Sequence, residues 1–378
     1  MLYRFIIIAA SLVLLYIWIG YPIVLLFLSK FFSRRINRRV LDPSPRVSII
    51  IAVRNEEKNV AAKLANCASL DYTQDRLEFL IVSDNSTDQT EEIVRNLASL
   101  DPRIRLLSAS ERQGKSGAQN LAVQNATGEI LFFTDANTRT NPDVLKILIE
   151  NFADPSVGLV TADVYFGQPG NPVASGQGLY WRFELFLRKL ESELSILATG
   201  SGQLLIMRRA LYKPIPVMYG DDCILPLDVR LQGYRVLQDA RVIVFDSMPN
   251  SITGELRARV RMTARNWTGT LSRPAILNPL RFPVTFWGLI SHKLLRWLTP
   301  FFLAVLLTAN ALSALQGKWT ALFILQASFY VAAFIGWVRV RKGAPAWLFS
   351  YPFAFCLANV GFFLGMVKVL RRQRIIAY

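Results

Sequence analysis

The chain has a single histidine, His292, and three cysteines, Cys67, Cys223 and Cys356, in 378 residues. The cysteines lie far apart at no metal spacing, so there is nothing from which to build a zinc site. Unpaired cysteines suit a reducing, cytosolic compartment, and Cys223 reads as a small buried residue beside Asp222. His292 lies among basic residues on an amphipathic segment and is not taken as catalytic. Acidic residues are also few, 27 against 43 basic, for a net charge of +16. No motif interleaves aromatic and basic residues, so nucleic acid is not the expected partner. The basic residues instead cluster at 30–46, 293–296, 339–342 and 368–374, beside apolar segments, where anionic lipid headgroups would attract them. There is no internal repeat and no low-complexity tract.

What is abundant is apolar: 52% of residues, unevenly spread. Residues 5–28 carry no charge. This stretch is too long for the core of a signal peptide, lacks a small-residue cleavage site, and is followed by Lys30, Arg34, Arg35, Arg38 and Arg39. It reads as a retained anchor with the cytoplasm on its C-terminal side. The expected organisation is an anchor at 1–29, a basic linker at 30–46, one α/β domain at 47–283, an amphipathic helix at 284–298 and a membrane region at 299–378. The amphipathic helix would lie in the membrane interface with Phe286, Ile290, Leu294 and Trp297 on its apolar side and His292 and Arg296 elsewhere. Spans are expected near 300–316, 319–338 and 346–367. One anchor plus three spans would put Arg371, Arg372 and Arg374 outside, against the positive-inside rule. A re-entrant last block or an N-terminal hairpin would remove the conflict.

Within 47–283, strand and helix patterns alternate. Strands are expected at 47–53, 79–83, 104–107, 130–134 and 157–166, with helices at 54–68, 85–100, 112–128 and 142–152 between them. That alternation implies a mainly parallel, twisted sheet. Further on come a loop at 168–172, a helix at 178–197, a strand at about 204–207, a helix at 221–232 and a strand at 234–244. A basic helix at 253–267 carries Arg257, Arg261 and Arg265 on one face.

Several strand ends carry chemistry. In a parallel sheet, ligands gather outside the carboxyl ends of the strands. Asp84 either caps the following helix or hydrogen-bonds a base or ribose. Glu56 shares that ambiguity, with the helix dipole as its other reason. Asp135 is either a turn residue or a ligand of Mg²⁺ or Mn²⁺, with Asn137 a weaker oxygen donor. Lys115, between Gly114 and Gly117, either steadies a diphosphate or is a solvated loop lysine. Asp221 and Asp222 open a helix, where acids are expected anyway, or supply a desolvated general base. Arg265 and Trp267 either stabilise a leaving diphosphate and stack on a sugar, or form an interfacial face.

Five stretches in order then carry a family resemblance: 47–57 (VSIIIAVRNEE), 81–88 (IVSDNSTD), 114–120 (GKSGAQN), 133–137 (FTDAN) and 220–236 (GDDCILPLDVRLQGYRV). They resemble family 2 glycosyltransferases of the GT-A fold, Rossmann-like with a mainly parallel sheet, and in particular the membrane-embedded cellulose, chitin and hyaluronan synthases. The resemblance spans about residues 45–300. It implies inverting transfer of a hexosyl or N-acetylhexosaminyl group from a UDP-sugar to a lipid-linked or saccharide acceptor, dependent on Mg²⁺ or Mn²⁺. Val53, Glu56, Asp84, Lys115, Asp135 and Arg265 would hold the nucleotide sugar and Asp135 and Asn137 the metal. Asp222 would be the base, and Asp221 and Trp267 would meet the acceptor. It further implies a bacterial inner-membrane protein with a cytoplasmic catalytic domain and partners in polysaccharide export. Asn137 replaces the second acid of Asp-x-Asp. Met262 and Asn266 interrupt the Gln-x-x-Arg-Trp signature of processive synthases, which leaves a single-addition enzyme as open as a polymerase. An inactive transferase-like scaffold is the alternative function.

Overall fold

The computed structural model describes residues 2–166, 172–246, 251–344 and 346–371, with side chains omitted at 166 and 172–179. The chain begins with one long apolar helix, Leu2–Phe32: α1 (Leu2–Leu15), a π-helical turn (Tyr16–Gly20) and α2 (Tyr21–Phe32). The α/β region follows as β1 (Val47–Val53), α3 (Val60–Ala68), β2 (Leu77–Ser83), α4 (Thr90–Ala98), β3 (Ile104–Ser108), α5 (Gly114–Asn125), β4 (Ile130–Thr134), α6 (Val144–Ile149), β5 (Val157–Phe166), α7 (Pro172–Glu193), β6 (Leu204–Arg208), α8 (Asp221–Leu231) and β7 (Arg235–Asp246). The β-branched runs of β1 and β2 are buried on both faces, as strands covered by helices must be.

The strands form one seven-stranded sheet in the order β3-β2-β1-β4-β6-β5-β7. Pairing is parallel except where β6 meets β4 and β5, so the sheet is mainly parallel and mixed. Because β1, β2, β4, β5 and β7 all point the same way, Val53, Ser83, Thr134 and Asp246 end at one rim. The reversed β6 brings its start, residues 200–203, to that same rim. Acidic loops from distant parts of the chain therefore converge.

Two expectations change here. Residues 54–59 are turn rather than helix, with Asn55 at φ 55°, and α3 starts only at Val60. The expected loop at 168–172 lies mostly outside the described residues.

After the sheet, α9 (Ile252–Leu271) leads to α10 (Pro283–Gly288), a π-helical turn (Leu289–Leu294) and α11 (Leu295–Trp297), then α12 (Thr299–Ala314), α13 (Thr320–Arg341) and α14 (Trp347–Leu370). Among the described residues, three helices are long and apolar enough to cross a membrane: Leu2–Phe32, Thr320–Arg341 and Trp347–Leu370. Pro283–Trp297 and α12 pass that test only together, bent by 55°. At 1.5 Å per residue α12 is about 24 Å long, short of a hydrocarbon core of about 30 Å.

The amphipathic segment departs from expectation. The π turn widens the helix by one residue and rotates its polar side inward. His292 and Arg296, expected off the packed face, are 1% and 2% exposed. His292 is bonded through Nδ1 to Glu191 at 2.7 Å and through Nε2 to Glu184 at 3.0 Å, both on α7. The Tyr21 hydroxyl donates to the same Glu191 oxygen at 2.6 Å. A buried polar cluster therefore ties the N-terminal helix and Pro283–Trp297 to the α/β region.

Candidate active site

A cavity of about 320 Å³ opens at the convergent rim. Its wall includes Glu56, Lys115, Asp135, Asn137, Asp221, Asp222, Arg261 and Arg265, so most of the residues singled out in the sequence meet there. Lys115 sits at the first turn of α5, entered through Gly114 at φ 72°, a conformation that L side chains rarely adopt. Its ammonium lies 2.6 Å from Asp135 Oδ1 and 3.1 Å from Asp221 Oδ2, and donates to the Gly202 carbonyl at 2.9 Å. Burial pushes the ammonium pKa down, but the two carboxylates outweigh burial and hold it above the ordinary lysine value.

Asp221 and Asp222 begin α8 side by side and differ in environment. Asp221 is 4% exposed, ion-paired to Lys115, and accepts a hydrogen bond from Gln119 Nε2 at 2.7 Å. Burial raises its pKa, yet Lys115 and Gln119 bring it below the usual carboxylate value. Asp221 thus positions Lys115 while remaining on the cavity wall. Asp222 has no hydrogen bond to its carboxylate among the described residues, and burial together with the Asp221 charge raises its pKa. A Cβ at Gly220, just before it, would stand 2.3 Å from Asp222 Oδ1, so a side chain there would push the Asp222 carboxylate out of this position.

Asp84 is fully buried, and its carboxylate accepts from the backbone N–H groups of Gln113 at 2.7 Å and Gly114 at 3.0 Å. Asp84 therefore caps the turn that presents Lys115, rather than its own following helix, and it is not among the cavity-lining residues. Val53 is likewise 0% exposed, with its carbonyl accepting from the Asp84 N–H at 2.9 Å. Its neighbour Ala52 lines the cavity instead. Glu56 lines the cavity and accepts from Asn59 Nδ2 at 2.8 Å.

From α9, Arg261 and Arg265 reach the cavity one turn apart. Arg265 Nη2 donates to the Tyr219 carbonyl at 2.6 Å, and its buried Nε has no partner among the described residues. Partial burial and the neighbouring Arg265 lower the Arg261 pKa, and the Asp222 charge opposes them. Trp267, expected to contact an acceptor, packs instead against Trp297 with ring centroids 5.5 Å apart and is not among the cavity-lining residues.

The candidate metal ligands are all oxygen donors, which suits a hard divalent cation. Asp135 keeps a partly exposed carboxylate on the cavity. The exposed Asn137 donates from Nδ2 to Asp246 Oδ1 at 3.0 Å, and Gln203 Nε2 donates to Asp246 Oδ2 at 2.9 Å. Asp135 and Asn137 offer such donors with Asp246 behind them, though among the described residues no three acidic, histidine or cysteine side chains converge on one metal position. Sequence reasoning missed Asp246, because the strand expected to end at 244 continues to 246 and the acid carries no periodic signal.

Sequence reasoning also missed Arg188. Its guanidinium pairs with Glu184 at 3.0 Å and holds Ser201 Oγ at 2.8 Å and the Gly200 carbonyl at 3.0 Å. A solvent-facing helix and a buried one share much of their pattern, and only packing shows that Arg188 faces inward. A second cavity, about 150 Å³, adjoins the first: Trp181, Arg188, Gly200, Asp222, Met262 and Asn266 line both. Asp222 thus lies on the wall between two chambers.

Residues 48–215 match the family model described as Glycosyl transferase family 2. Among curated proteins, the chain is 32% identical over 165 residues to beta-monoglucosyldiacylglycerol synthase of Synechocystis sp., covering 43% of this chain and 34% of that protein. It is 23% identical over 229 residues to poly-beta-1,6-N-acetyl-D-glucosamine synthase of Staphylococcus aureus, covering 58% and 54%. The chain thus spans about a third to a half of the length of these relatives. Among solved structures, it resembles the mannosyltransferase PcManGT of Pyrobaculum calidifontis, determined with GDP-Man and Mn²⁺. The TM-score is 0.74 at 24% identity, over 98% of this chain and 99% of that one, a likeness of fold.

Proposed function

We propose that the chain, whose residues 48–215 match the model of glycosyl transferase family 2, is an inverting, membrane-bound glycosyltransferase. It moves a hexosyl or N-acetylhexosaminyl group from a nucleoside-diphosphate sugar, UDP-linked in this reading, to a lipid-linked or saccharide acceptor. The observation that carries the proposal is the position of Asp222. It lines both chambers, one bearing Lys115, Arg261 and Arg265 for a diphosphate and the other closed by aromatic and basic side chains.

The donor lies in the first chamber with its diphosphate toward Arg261, Arg265 and Lys115. The acceptor hydroxyl enters from the second. Its oxygen bonds to the anomeric carbon as the bond from that carbon to the diphosphate oxygen breaks, and its proton passes to the Asp222 carboxylate. The nucleoside diphosphate leaves with the bonding electrons, and the arginines stabilise its growing charge. Attack opposite the leaving group turns an α-linked donor into a β-linked product. A raised pKa suits Asp222 to this work, since a carboxylate lacking hydrogen-bond partners is the stronger base. Asp135 and Asn137 would hold Mg²⁺ or Mn²⁺, which supplies Lewis-acid neutralisation of the diphosphate. The basic residues after Leu2–Phe32 support a cytoplasmic α/β region, in a bacterial inner membrane on this reading, with anionic lipids and saccharide-export proteins as neighbours.

The test is nucleotide release by the purified full-length protein with a panel of UDP-sugars and GDP-mannose, with Mn²⁺ or Mg²⁺ and a mixed saccharide and lipid acceptor pool. Metal-dependent release from one donor, reduced by a factor of about 10²–10⁴ in Asp222→Asn, is expected. Wild-type release by the variant would refute the base assignment. Release from no donor would favour an inactive scaffold.

A further inference from the structure

A third cavity, of about 690 Å³, lies away from the rim, where the chain leaves its N-terminal helix. Its wall is built from the segment just after α2, the end of α7 and the middle of β7. Five cations line it, Arg34, Arg35, Arg38, Lys189 and Arg241, against two acids, Glu193 and Asp239. Asp239 is already engaged. Arg241 Nη2 lies 2.8 Å from its Oδ2, and Asn151 Nδ2 donates to the same oxygen at 2.7 Å. Arg38 stands 4.0 Å from that oxygen and donates to Asn151 Oδ1 at 2.8 Å. Arg34, Arg35 and Lys189 have no carboxylate at ion-pairing distance among the described residues, so Glu193 alone faces three cations.

The wall is fixed without using those three side chains. The Arg34 N–H donates to the Glu193 carbonyl at 2.8 Å, and the buried Arg235 donates through Nη2 to the Arg34 carbonyl at 3.0 Å. Ser192, buried on the wall, accepts the Gln238 N–H at 3.0 Å and keeps its own O–H to donate. The surplus charge is felt behind the wall: burial lowers the pKa of Arg230 and Arg235, and Arg34 adds to the effect at both. Cations held around a void by a pinned backbone repel one another until an anion enters. Guanidinium groups suit phosphate oxygens above other anions, because their N–H donors lie in one plane at matching spacing. The cavity begins at Ser33, directly after Phe31 and Phe32, which end the apolar helix with 62% and 65% of their surface exposed. Exposed rings followed at once by a basic pocket suit an amphiphile, with its chains along the helix and its phosphate in the pocket.

We propose that this third cavity is a discrete site for the phosphate headgroup of an anionic membrane lipid, held by Arg34, Arg35 and Lys189 and separate from the transfer centre. The proposal rests on the reading of Leu2–Phe32 as a membrane helix and uses no step of the transfer reaction. The bound lipid is neither donor nor acceptor. Because one wall joins the segment after α2 to α7 and β7, an occupied site locks the α/β region against the end of its membrane helix.

Native mass spectrometry of the purified full-length protein, released from neutral detergent, counts the lipids that each chain retains. Phosphatidylglycerol and phosphatidylcholine are supplied together at equal concentration, with inorganic phosphate as the soluble competitor. One phosphatidylglycerol per chain is expected, retained at least about tenfold over phosphatidylcholine. The combined variant Arg34→Gln, Arg35→Gln and Lys189→Gln should bring that preference to within about twofold. A second combined variant, Arg339→Gln, Arg341→Gln and Lys342→Gln, removes three cations at the end of α13 and should leave it unchanged. All six positions are exposed, and should the first variant fail to fold, the wild-type preference and the second variant decide. Equal retention of the two lipids by the wild type would overturn the site. So would equal losses in the two variants, by showing diffuse attraction to basic residues anywhere beside the membrane. Displacement of the lipid by an equal concentration of inorganic phosphate would make the ligand a soluble phosphate and overturn the lipid source. Failure of the membrane-helix reading would show separately, as release of the protein from membranes by alkaline carbonate.

Discussion

Replacing Lys115 by methionine removes the cation that holds the floor of the first cavity together. The ammonium is 2.6 Å from Asp135 and 3.1 Å from Asp221. At an effective dielectric of about 20, these distances correspond to attractions of about 6 and about 5 kcal/mol, much of it offset by desolvation. Methionine keeps the aliphatic stem but leaves Asp135 and Asp221 beside Asp222 without their nearest compensating cation. Breaking a buried pair in this way costs about 3–5 kcal/mol. In a domain of this size that lowers Tm by roughly 6–20 °C. Circular dichroism melts of the full-length protein in neutral detergent measure the loss. The pH dependence has a definite sign. Asp221 has a depressed folded pKa, so its pairing with Lys115 contributes stability above the unfolded carboxylate value of about 3.9. That contribution disappears as pH falls through the still lower folded value. The gap between wild type and variant should therefore be full at pH 7 and close below about pH 4. Mn²⁺ should also stabilise the variant more than the wild type, because Asp135 no longer shares its oxygens with an ammonium. A loss below about 1 kcal/mol at pH 7, or one independent of pH, would refute the reasoning.

Asp222→Asn should raise Tm at pH 7 even as it slows transfer, because a raised folded pKa means that the native state carries the ionised carboxyl at a cost. An unchanged or lower Tm would mean that the carboxylate is better solvated than its surroundings indicate. Asp84→Ala should cost about 3–5 kcal/mol, from two charge-assisted hydrogen bonds to the turn before Lys115. In titration calorimetry it should weaken nucleotide binding through displacement of Lys115, and Asp84→Asn, with one amide oxygen left to accept, should recover part of both losses.

Much of the α/β core was readable from local pattern. The run Val47–Val53 is apolar and β-branched because both of its faces are covered, so its type and bounds are plain from composition. The same holds for Ile130–Thr134, which ends where the polar rim begins. Boundaries that depend on turn geometry were not readable. Residues 54–59 have helical composition, yet the backbone turns at Asn55 and α3 waits for Val60. Of the site residues, Glu56, Lys115, Asp135, Asn137, Asp221, Asp222 and Arg265 reach one cavity. Val53 and Asp84 support it from behind, and Trp267 packs away from it.

What sequence alone determined were the features written in neighbouring residues: strand periodicity, apolar runs long enough to cross a membrane, and acids at strand ends. What tertiary structure decided was which charge meets which. Asp221 and Asp222 are adjacent and chemically identical, and they become different groups only because Lys115 and Gln119, more than 100 residues earlier, approach one and not the other. His292, expected at an interface, is buried because a π turn rotates it toward two glutamates on a helix about a hundred residues away. Electrostatic environment is a property of distance in space, and local pattern carries no record of it.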